Sequence, residues 1–548
     1  MIDRLDFIVT CLESFEYVQI TEPFKKIQDS ISGKIIITES GIKLEFETVI
    51  LPQYPMQSHE VETIRFVNSS LISYNHVNAD GSICIHTLHN PDLKSKLFYD
   101  LEGLRRWIRK YYINKNTDKH YEHLIVNEGS SLITNVSFLF TEVNHLFKDG
   151  EFGFFQYSFL ARGKEGEKDS DTFLVNGFML NKTISASSWS SFYKNRELDT
   201  GIFLFLNNAP VKRERFLIEN WNDLNNIVKQ DFMSFLYTIK KFQFGKFLHD
   251  KYIPLLIGYN IPENEIHWQC ALIDIHNFPS EGKDLGSSKG WIGQFKNLQI
   301  VWASTKNCSY KYYFGRGKLS DNITDKKIII IGIGAIGSIV ACTLVRGGCK
   351  SIALADYDIK LPENVCRSEY LFNTGIKSKV IDLSIGLVQI SPFVEVLPYR
   401  DLMDAIKYFI NNRSLREDIR RRIEEYDLII DCTADNDVAY ILDLLSISCD
   451  IISMSIANNG KALFCSTKPE LYKWLIAISR EFNKENDEMY EPTGCWSPTF
   501  RASYNDISTL VQFAVKHINL IMEEGKKLRP FKIIVDQKGG LNINLCQF

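Results

Sequence analysis

The fold of the C-terminal part of this chain is decided by one stretch, Ile328-Ile329-Ile330-Ile331-Gly332-Ile333-Gly334-Ala335-Ile336-Gly337. Ile328 to Ile331 predict a buried strand, and the small residues from Ala335 onward predict a helix, so the glycines lie at the joint. Gly332 permits a tight turn, Gly334 lets the backbone approach a phosphate, and Gly337 lets the helix pack on the strand. The stretch predicts a nucleotide-phosphate loop at a helix N-terminus. A plain strand-to-helix turn is the alternative.

Residues 316–548 around this loop predict a doubly wound α/β sheet. Strand-like and helix-like runs alternate there, as at Ser351 to Ala355 and Lys377 to Val388, and this alternation is typical of parallel sheets. Asp356 ends the strand after the loop, where a carboxylate can accept hydrogen bonds from ribose hydroxyls. The loop and Asp356 would suit NAD as well as ATP.

Polar residues beyond Asp356 favour ATP over NAD. They are Asp358, Asn364, Arg367, Lys379 and, after a later strand, Asp435. Cations near a triphosphate and an acid that can hold magnesium fit adenylyl transfer better than hydride transfer. We therefore expect ATP and Mg²⁺ as cofactors.

Composition disfavours several classes of protein. A chain of 548 residues favours two to four domains. The 63 Lys and Arg nearly balance the 67 Asp and Glu, so no global field draws nucleic acid or an anionic membrane. Twelve cysteines without a Cys-x-x-Cys pair argue against a zinc ribbon or a redox dithiol. The start lacks the apolar core of a signal peptide. We expect a cytoplasmic protein with protein or small-molecule partners, no nucleic acid and no membrane.

The N-terminal part divides into two further predicted domains. Residues 1–128 predict an α+β domain with a helix, alternating strands, a loop containing Cys84 and a basic amphipathic helix at Tyr99 to Tyr112. Residues 129–315 are rich in aromatic residues and short β-like runs such as Phe152 to Leu160. They show no catalytic pattern and predict a mixed α/β linking or docking domain.

Over residues 316–548 the chain resembles the ThiF/MoeB/E1 superfamily of ubiquitin-like activating enzymes. The similar pieces are the glycine loop, Asp356-Tyr357-Asp358, Asn364-x-x-Arg367, Lys379 and Asp431-Cys432-Thr433-Ala434-Asp435-Asn436. The resemblance implies that Asp356 holds the ribose, Arg367 and Lys379 hold the phosphates, Asn364 orients the nucleotide and Asp435 holds magnesium. Two departures are Ser368, where many members have Gln, and Lys377, which is close enough to take the role of Lys379.

A second candidate site surrounds Cys495, in Pro492-Thr493-Gly494-Cys495-Trp496-Ser497-Pro498-Thr499-Phe500, just before the apolar stretch Tyr504 to Met522. Ser497 is a good N-cap and Pro498 a good first helical residue. A helix N-terminus beside the thiol would stabilise its thiolate. A buried loop cysteine is the weaker alternative in this polar, Gly- and Pro-rich setting. In the resemblance, this position carries the E1 thioester.

Cys84 is a third candidate, in His76-Val77-Asn78-Ala79-Asp80-Gly81-Ser82-Ile83-Cys84-Ile85. Leu51-Pro52-Gln53-Tyr54-Pro55 precedes this stretch, and a predicted helix containing Trp107 follows it. The order is similar to that of E2 ubiquitin-conjugating enzymes, in which a proline-tyrosine-proline strand end, a His-Pro-Asn turn and a Gly-x-x-Cys precede a helix. The resemblance implies that Cys84 carries a second thioester.

Asn78 is the candidate to assist Cys84, because an amide near a thioester can stabilise the oxyanion that forms when an amine attacks. The pattern departs from the E2 enzymes, since Val77 replaces the proline and the His-to-Cys spacing is eight. His76 is therefore a further catalytic candidate, and His86 or His89 could share or replace the role of Asn78. A structural or solvated histidine is the common alternative in such loops.

The order E2-like, linking domain, E1-like resembles the bacterial E2-E1 fusion proteins of antiphage operons, in particular those associated with cGAS/DncV-like nucleotidyltransferases in CBASS defence. The resemblance implies that ATP adenylates the C-terminal carboxylate of a partner protein, which passes as a thioester from Cys495 to Cys84 and then to a target lysine. The implied partner is the nucleotidyltransferase, with a separate ubiquitin-like protein as the alternative. It also implies a homodimer through the E1-like domain.

Three other interpretations stay open. A ThiF/MoeB-like sulfur-carrier activating enzyme would use the same ATP site and would not need Cys84. A nicotinamide-dependent oxidoreductase would explain the glycine loop and Asp356 but not Arg367, Lys379 and Asp435. A catalytically silent scaffold would retain both folds and form no adduct.

Overall fold

The structure is a computed structural model. It describes residues 3–59, 61–116, 132–165, 168–180, 183–189, 193, 196–212, 216–242, 251–261, 265–284, 291–402, 407–408, 411–482, 502–536 and 540–547. The chain forms two compact units, Met1–Cys308 and Ser309–Phe548. The division into three domains at 1–128, 129–315 and 316–548 stays a prediction. Within these described ranges, the helices are all too short or too polar to cross a bilayer.

The first unit begins with a helix and an antiparallel meander. Its elements are α1 (Arg4–Glu13), β1 (Val18–Ile27), β2 (Ser30–Glu39), β3 (Ile42–Ile50), β4 (Ile64–Val67) and α2 (Leu93–Trp107), with the strands in the order β1-β2-β3-β4. Alternate residues of β2 are buried, and Ile35 and Phe46 pack against Leu97 and Leu101 of α2 in one core. The segment after β4 therefore runs to α2 across the surface of this core, and it carries Cys84.

Helix α2 differs from the predicted range Tyr99 to Tyr112. It begins at Leu93, where the Asp92 side chain accepts a hydrogen bond from the backbone N–H of Ser95 at 2.9 Å. It ends at Trp107 and continues as a π-helical turn, Ile108–Ile113. The basic amphipathic pattern covers the second half of this helix and the π-helical turn, whereas the residue that caps its start is Asp92.

The rest of the first unit is built on an eight-stranded mixed sheet in the order β5-β16-β13-β12-β9-β6-β7-β8. These strands are β5 (Leu132–Phe140), β6 (Phe152–Glu165), β7 (Lys168–Leu180), β8 (Thr183–Ala186), β9 (Leu198–Leu206), β12 (Tyr252–Ile261), β13 (Glu265–Asp274) and β16 (Val301–Asn307). Two small hairpins and a helix complete it: β10 (Val211–Lys212), β11 (Phe216–Leu217), β14 (Ser280–Asp284), β15 (Trp291–Phe295) and α3 (Gln230–Phe242). Phe232 and Leu236 of α3 pack with Leu255 in one core, and Phe178 and Trp268 belong to another core of the sheet.

The second unit contains an eight-stranded sheet in the order β19-β18-β17-β20-β21-β22-β23-β24. The strands are β17 (Lys327–Ile331), β18 (Ser351–Ala355), β19 (Glu395–Tyr399), β20 (Leu428–Asp431), β21 (Asp450–Ala457), β22 (Ala462–Thr467), β23 (Phe531–Asp536) and β24 (Asn542–Gln547). The first five strands in this order are mutually parallel, and the last three pair antiparallel.

Helices cover both faces of this sheet. They are α4 (Tyr310–Tyr313), α5 (Asp321–Thr324), α6 (Ala335–Arg346), α7 (Pro362–Val365), α8 (Lys379–Ile390), α9 (Arg413–Ile423), α10 (Asn436–Leu444), α11 (Leu471–Phe482) and α12 (Tyr504–Glu523). Ile328 and Ile330 belong to a core with α6 and α12, whereas Ile329 and Ile331 belong to a core with α10. The predicted doubly wound α/β fold is confirmed.

Strand order determines where this unit can hold a ligand. The chain runs from β17 to β18 and β19 on one side and then returns to β20 on the other side of β17. This reversal is a topological switch point, and ligands of such sheets bind at the carboxyl ends of the strands beside it. Gly332 and Cys432 directly follow β17 and β20 there.

Candidate functional site

The three glycines of the loop differ in how much space a side chain at their positions would have. Gly332 has a φ of +77°, and a Cβ there would lie 2.7 Å from the Thr433 side chain. A Cβ on Gly337 would lie 2.0 Å from the carbonyl oxygen of Gly332, whereas one on Gly334 would meet nothing within 4 Å. Gly332 and Gly337 therefore set the shape of the turn, and Gly334, the N-cap of α6, leaves open space for a ligand.

Two adjoining cavities lie at the carboxyl ends of the parallel strands, and we call them together the nucleotide cavity. One has a volume of about 270 Å³ and is lined by Gly332, Gly334, Asp356, Asp358, Lys379, Lys407 and Asp435, among others. The other has a volume of about 520 Å³ and is lined by Gly334, Asn364, Arg367 and Lys379, among others. The structure thus brings the predicted nucleotide residues together, with Gly337 packed beneath the loop.

Asp356 connects the loop to the end of β18. Its Oδ2 accepts a hydrogen bond from the backbone N–H of Ile333, and its Oδ1 accepts one from the backbone N–H of Asp358, each at 2.9 Å. Asp358 Oδ2 lies 2.5 Å from the Nζ of the buried Lys379. The two carboxylates and the ammonium are therefore held at one edge of the cavity.

Lys379, rather than Lys377, lines the nucleotide cavity. Lys377 is exposed, and its carbonyl oxygen accepts a hydrogen bond from the backbone N–H of Lys360. Asn364 contributes its amide oxygen to a local cap, because its Oδ1 accepts from the backbone N–H of Leu361 at 2.9 Å. The nucleotide roles of these residues stay predictions.

The opposite edge of the cavity carries Asp435 and a lysine that the sequence analysis missed. Lys407 Nζ lies 2.6 Å from Asp435 Oδ2. Partial burial would raise the pKa of Asp435, but the hydrogen bond and charge of Lys407 lower it overall. Lys407 lies in a stretch without a motif, so no local signal could have found it.

Asp431 fixes the strand end that faces the glycine loop. It is fully buried, and it accepts hydrogen bonds from the Thr433 hydroxyl at 2.6 Å and from the Ser453 hydroxyl at 2.6 Å. Burial raises the pKa of this carboxyl. Thr433 is the residue that Gly332 approaches. Because Asp431 binds Thr433, it fixes the position of the residue against which the glycine turn packs.

Cys495 lies outside the described residues, as do Ser497 and Pro498. The apolar stretch after it forms α12, which begins at Tyr504 and has Ser503 as its N-cap. The Ser503 side chain accepts from the backbone N–H of Asp506, and the Asp506 side chain accepts from the backbone N–H of Ser503. Ser503 and Asp506 form a complete capping box for this helix, and the predicted helix N-terminus at Ser497 and Pro498 stays a prediction.

The residues around Cys84 form a separate cavity of about 650 Å³, the cysteine cavity. It is lined by Val61, Glu62, Ile64, Arg65, Asn78, Ala79, Asp80, Ser82, Ile83, Cys84, Ile85 and His86. Cys84 is half-buried, and its Sγ lies 3.6 Å from His86 Nε2. The side-chain amide of Asn78 donates to the Ser82 hydroxyl at 2.9 Å.

His76 has a different environment from Asn78 and His86. Its carbonyl oxygen accepts a hydrogen bond from the backbone N–H of Cys84 at 2.8 Å, and its φ is +59°. Its ring lies against that of Tyr111, with centroids 4.6 Å apart and the ring planes inclined at 47°. The structure thus brings Cys84, Asn78 and His86 to one cavity and places the ring of His76 against the π-helical turn that follows α2. A catalytic role for His76 stays a prediction.

Comparison with known proteins assigns a family to the region that carries the nucleotide cavity. Residues 312–464 match the ThiF family. The chain carries a ThiF domain.

Two relatives extend this match in different ways. An ATP-dependent ubiquitin transferase-like protein Cap2 of Enterobacter hormaechei is 25% identical over 417 residues, which are 71% of this chain and 67% of that protein. A ubiquitin-like modifier-activating enzyme 5 of Caenorhabditis briggsae is 30% identical over 118 residues, which are 20% of this chain and 26% of that enzyme. The predicted resemblance to E1-like, ubiquitin transferase-like proteins is confirmed.

Among solved structures, the crystal structure of Escherichia coli MccB with ATP aligns over 41% of this chain and 65% of the MccB chain, with 12% sequence identity and a TM-score of 0.30. The sequence matches support an E1-type adenylating enzyme. The partner, the thioester relay and the target lysine stay predictions.

The part of the ThiF domain that the structure describes offers few ligands of its own to a metal ion. Among the residues that the structure describes, no three or more His, Cys, Asp or Glu side chains cluster in a way that could hold one. Mg²⁺ usually binds through one or two carboxylates together with substrate phosphates and water. The exposed edge of Asp435 beside the loop fits that mode of binding.

Proposed function

We propose that the chain adenylates the C-terminal carboxylate of a partner protein with ATP, carries it as a thioester on Cys495 and then on Cys84, and conjugates it to a target lysine. The observation that supports this best is the nucleotide cavity, where Gly334, Asp356, Lys379 and Asp435 line one space at the switch point of a ThiF domain. A cGAS/DncV-like nucleotidyltransferase is the proposed partner.

In this proposal the ThiF domain positions ATP and neutralises its charge. The free N–H groups of α6 face the phosphates across Gly334, and Asp356 accepts hydrogen bonds from the ribose. Lys379 and Arg367 offset the negative charge that develops on the phosphates as the carboxylate attacks the α-phosphorus and pyrophosphate leaves. Mg²⁺, held by Asp435, would neutralise further phosphate charge.

Two ion pairs of the cavity are poised to exchange partners. Lys379 binds Asp358 and Lys407 binds Asp435, and three of the four side chains are more than a third exposed. Each lysine can turn to a phosphate and leave its carboxylate for a ribose or a metal ion. The Lys407–Asp435 pair is solvated and contributes about 0–1 kcal/mol, so its exchange costs little.

The relay conserves the activation that adenylation supplies. The Cys495 thiolate attacks the acyl adenylate and AMP leaves. The Cys84 thiolate then attacks the first thioester and the Cys495 thiolate leaves. Finally a lysine amine attacks the second thioester, an amide bond forms, and the Cys84 thiolate leaves. The proposed homodimer and the antiphage role rest on the family resemblance.

Binding of ATP-Mg, measured by calorimetry, tests the nucleotide site without any partner. Lys379→Met should weaken binding about 10- to 100-fold, because hydrogen bonds to charged groups contribute about 1.5–3 kcal/mol. Lys377→Met is the matched control and should change affinity less than about twofold. Binding of NADH in place of ATP-Mg, or an equal loss in both variants, would contradict the assignment.

Intact mass, with and without reductant, tests the relay after incubation with ATP-Mg and the nucleotidyltransferase. We expect a reductant-sensitive adduct that is lost in Cys495→Ala and retained on Cys495 in Cys84→Ala. Product formation that survives Cys84→Ala would favour a sulfur-carrier activating enzyme. An adduct that forms with a ubiquitin-like protein instead of the nucleotidyltransferase would contradict the proposed partner and support the proposed relay.

A further inference from the structure

A fully buried ammonium group lies behind the cysteine cavity. Lys96 has no exposed surface, and its Nζ lies 2.7 Å from Glu62 Oε2, 2.6 Å from Asp100 Oδ1 and 2.6 Å from Thr87 Oγ1. Asp100 is also fully buried and Glu62 is 5% exposed. We call these four residues the charged clamp. A buried ion cluster is weak evidence for stability, because apolar replacements are often neutral or stabilising.

The charged clamp holds the segment that follows Cys84. The backbone N–H of Thr87 donates to Glu62 Oε1 at 3.1 Å, and the Thr87 hydroxyl lies within hydrogen-bond distance of Glu62 and Asp100. Both carboxylates have further donors, since Gln57 binds Glu62 at 2.7 Å and the Tyr54 hydroxyl binds Asp100 at 2.8 Å. Thr87 is therefore held by its backbone and its side chain.

Helix α2 restricts the same segment from the other side. A Cβ on Gly103 would lie 2.8 Å from the Thr87 methyl carbon and 3.8 Å from Ile85 Cβ. The indole N–H of Trp107 donates to the carbonyl oxygen of Asn75 at 2.9 Å, before the cysteine. The backbone on both sides of Cys84 is thus fixed to α2 at close range.

His86 lies between the half-buried Cys84 and the clamped Thr87. Its ring is exposed, yet its Nε2 lies 3.6 Å from Cys84 Sγ, inside the cysteine cavity. The other charged residues that line this cavity are Glu62, Arg65 and Asp80. Glu62 is held by Lys96, and Arg65 lies 3.9 Å from Asp80, so His86 is the base placed next to the thiol.

We infer that His86 is the proton-transfer residue for Cys84 and that the charged clamp acts as a set of positioning residues for it. The inference rests on the proposed function for the identity of the acyl group. His86 Nε2 takes the proton of the Cys84 thiol as the thiolate attacks the incoming thioester. His86 then releases this proton to solvent, and in the last step it takes the proton that the lysine amine loses as its nitrogen attacks the thioester carbon and Cys84 leaves as the thiolate. An imidazole beside the nucleophile is the arrangement that such proton transfers need.

The first test measures the alkylation rate of Cys84 by iodoacetamide in the full chain, read from peptide masses. His86→Gln should slow this rate about tenfold or more, because a positioned base contributes about 10²–10⁴-fold. The exposed Cys366 and Cys546 provide internal standards in the same digest. His276→Gln, at an exposed histidine of the β13–β14 loop, is the matched control. An unchanged rate in His86→Gln would overturn the inference.

The second test separates positioning from simple stability. Thr87→Val removes the hydroxyl with little change of shape, and Thr87→Ser keeps it. We expect Thr87→Val to slow alkylation of Cys84 severalfold and Thr87→Ser to restore it, with no additional loss when Thr87→Val is added to His86→Gln. A lowered melting temperature with an unchanged alkylation rate would leave the clamp a purely structural feature.

A variant on helix α2 provides a second test of the charged clamp if Thr87→Val does not fold. Gly103→Ala would displace Thr87 by its Cβ and should slow alkylation in the same way. These rates need no partner protein, so they are independent of the adduct experiment. One pair of results separates the two proposals: the wild-type chain forms no adduct, while the alkylation rate of Cys84 still depends on His86. That pair of results would contradict the proposed function but not the assignment of His86.

Discussion

The nucleotide cavity and the cysteine cavity both depend on lysine-carboxylate pairs, but the pairs differ in exposure. Lys407 and Asp435 of the nucleotide cavity have 42% and 36% of their side-chain surface exposed. Lys96 and Asp100 behind the cysteine cavity have none. Solvated charges can exchange a protein partner for a phosphate, whereas buried and saturated charges cannot. We therefore propose that the first site uses its charges to bind a ligand, whereas the charges at the second hold the segment after Cys84.

This difference in exposure also determines how much each ion pair contributes to the free energy of folding. Exposed pairs contribute about 0–1 kcal/mol, whereas removing one partner of a buried pair costs about 3–5 kcal/mol because a charge is left without compensation. Substitutions at the cysteine cavity should therefore affect stability, and substitutions at the nucleotide cavity should affect binding.

Lys96→Met is expected to have the largest effect on stability. It leaves Glu62 and Asp100 buried without an ammonium group, so the free energy of local opening should fall by about 3–5 kcal/mol. Hydrogen exchange of the backbone amides in residues 93–107 measures this opening. The matched control is Lys94→Met, because Lys94 is exposed on the same helix and a surface substitution changes stability by about 0.5 kcal/mol or less. Equal losses of opening free energy in Lys96→Met and Lys94→Met would contradict the proposed difference between buried and exposed ion pairs.

Protonation at the clamp follows from the same geometry. Burial raises the pKa of Asp100, whereas Glu62, which burial alone would raise, has its pKa lowered by the hydrogen bonds from Lys96 and Gln57. Proton uptake by Asp100 therefore begins at a higher pH than it would in an ordinary aspartate. Lys96→Met should make that uptake occur at still higher pH, since it removes the positive charge beside both groups.

Gly337→Ala is expected to have the next largest effect, and it tests the nucleotide cavity. Its Cβ would lie 2.0 Å from the Gly332 carbonyl oxygen, so the turn must shift. A displacement of about 1 Å in a positioning element can cost about 10²-fold in rate. We expect a comparable loss in partner-dependent ATP–pyrophosphate exchange together with a lower melting temperature.

Gly334→Ala separates the shape of the turn from its access to a ligand. A Cβ there meets nothing within 4 Å in the protein, so the melting temperature should not change. The same Cβ occupies the space through which a phosphate would approach, so ATP binding should weaken. Unchanged ATP binding in Gly334→Ala would place the phosphates elsewhere.

The nucleotide cavity could be predicted from the sequence to a large extent. Gly332, Asp356 and Asp435 each closely follow a parallel strand of one sheet, so local strand and motif patterns identify them and the sheet brings them together. Lys407 was missed because it enters the cavity from the region between β19 and α9, where no periodic pattern or motif marks it.

The surroundings of Cys84 were less predictable for a physical reason. Glu62 and Lys96 are 34 residues apart and lie on different elements. In the sequence, each is an ordinary charged residue, and charged residues are usually solvated. Burial is a property of the assembled core, so the charged clamp becomes visible only when α2 packs against the segment after β4. The same holds for His86, whose distance to the thiol depends on that packing.

Ser503→Ala has the smallest expected effect and tests how far a local signal controls the helix after Cys495. Loss of this N-cap should cost about 1 kcal/mol at neutral pH. The hydrogen bonds from Ser503 lower the pKa of Asp506. The stability that this carboxylate contributes is thus present above its ordinary pKa of about 3.9 and is lost as the pH falls through the lower folded value.

The difference between the wild-type chain and Ser503→Ala should therefore shrink in acid, because the wild type loses part of what the variant already lacks. Hydrogen exchange of residues 504–523, corrected for intrinsic rates, measures it at neutral and acidic pH. Ser508→Ala is the matched control within the same helix and should show no such dependence on pH. A deficit that stays constant with pH would assign the whole effect to the Ser503 hydroxyl and none to the Asp506 charge. In that case a local pattern would locate the cap correctly while its electrostatic part contributed nothing.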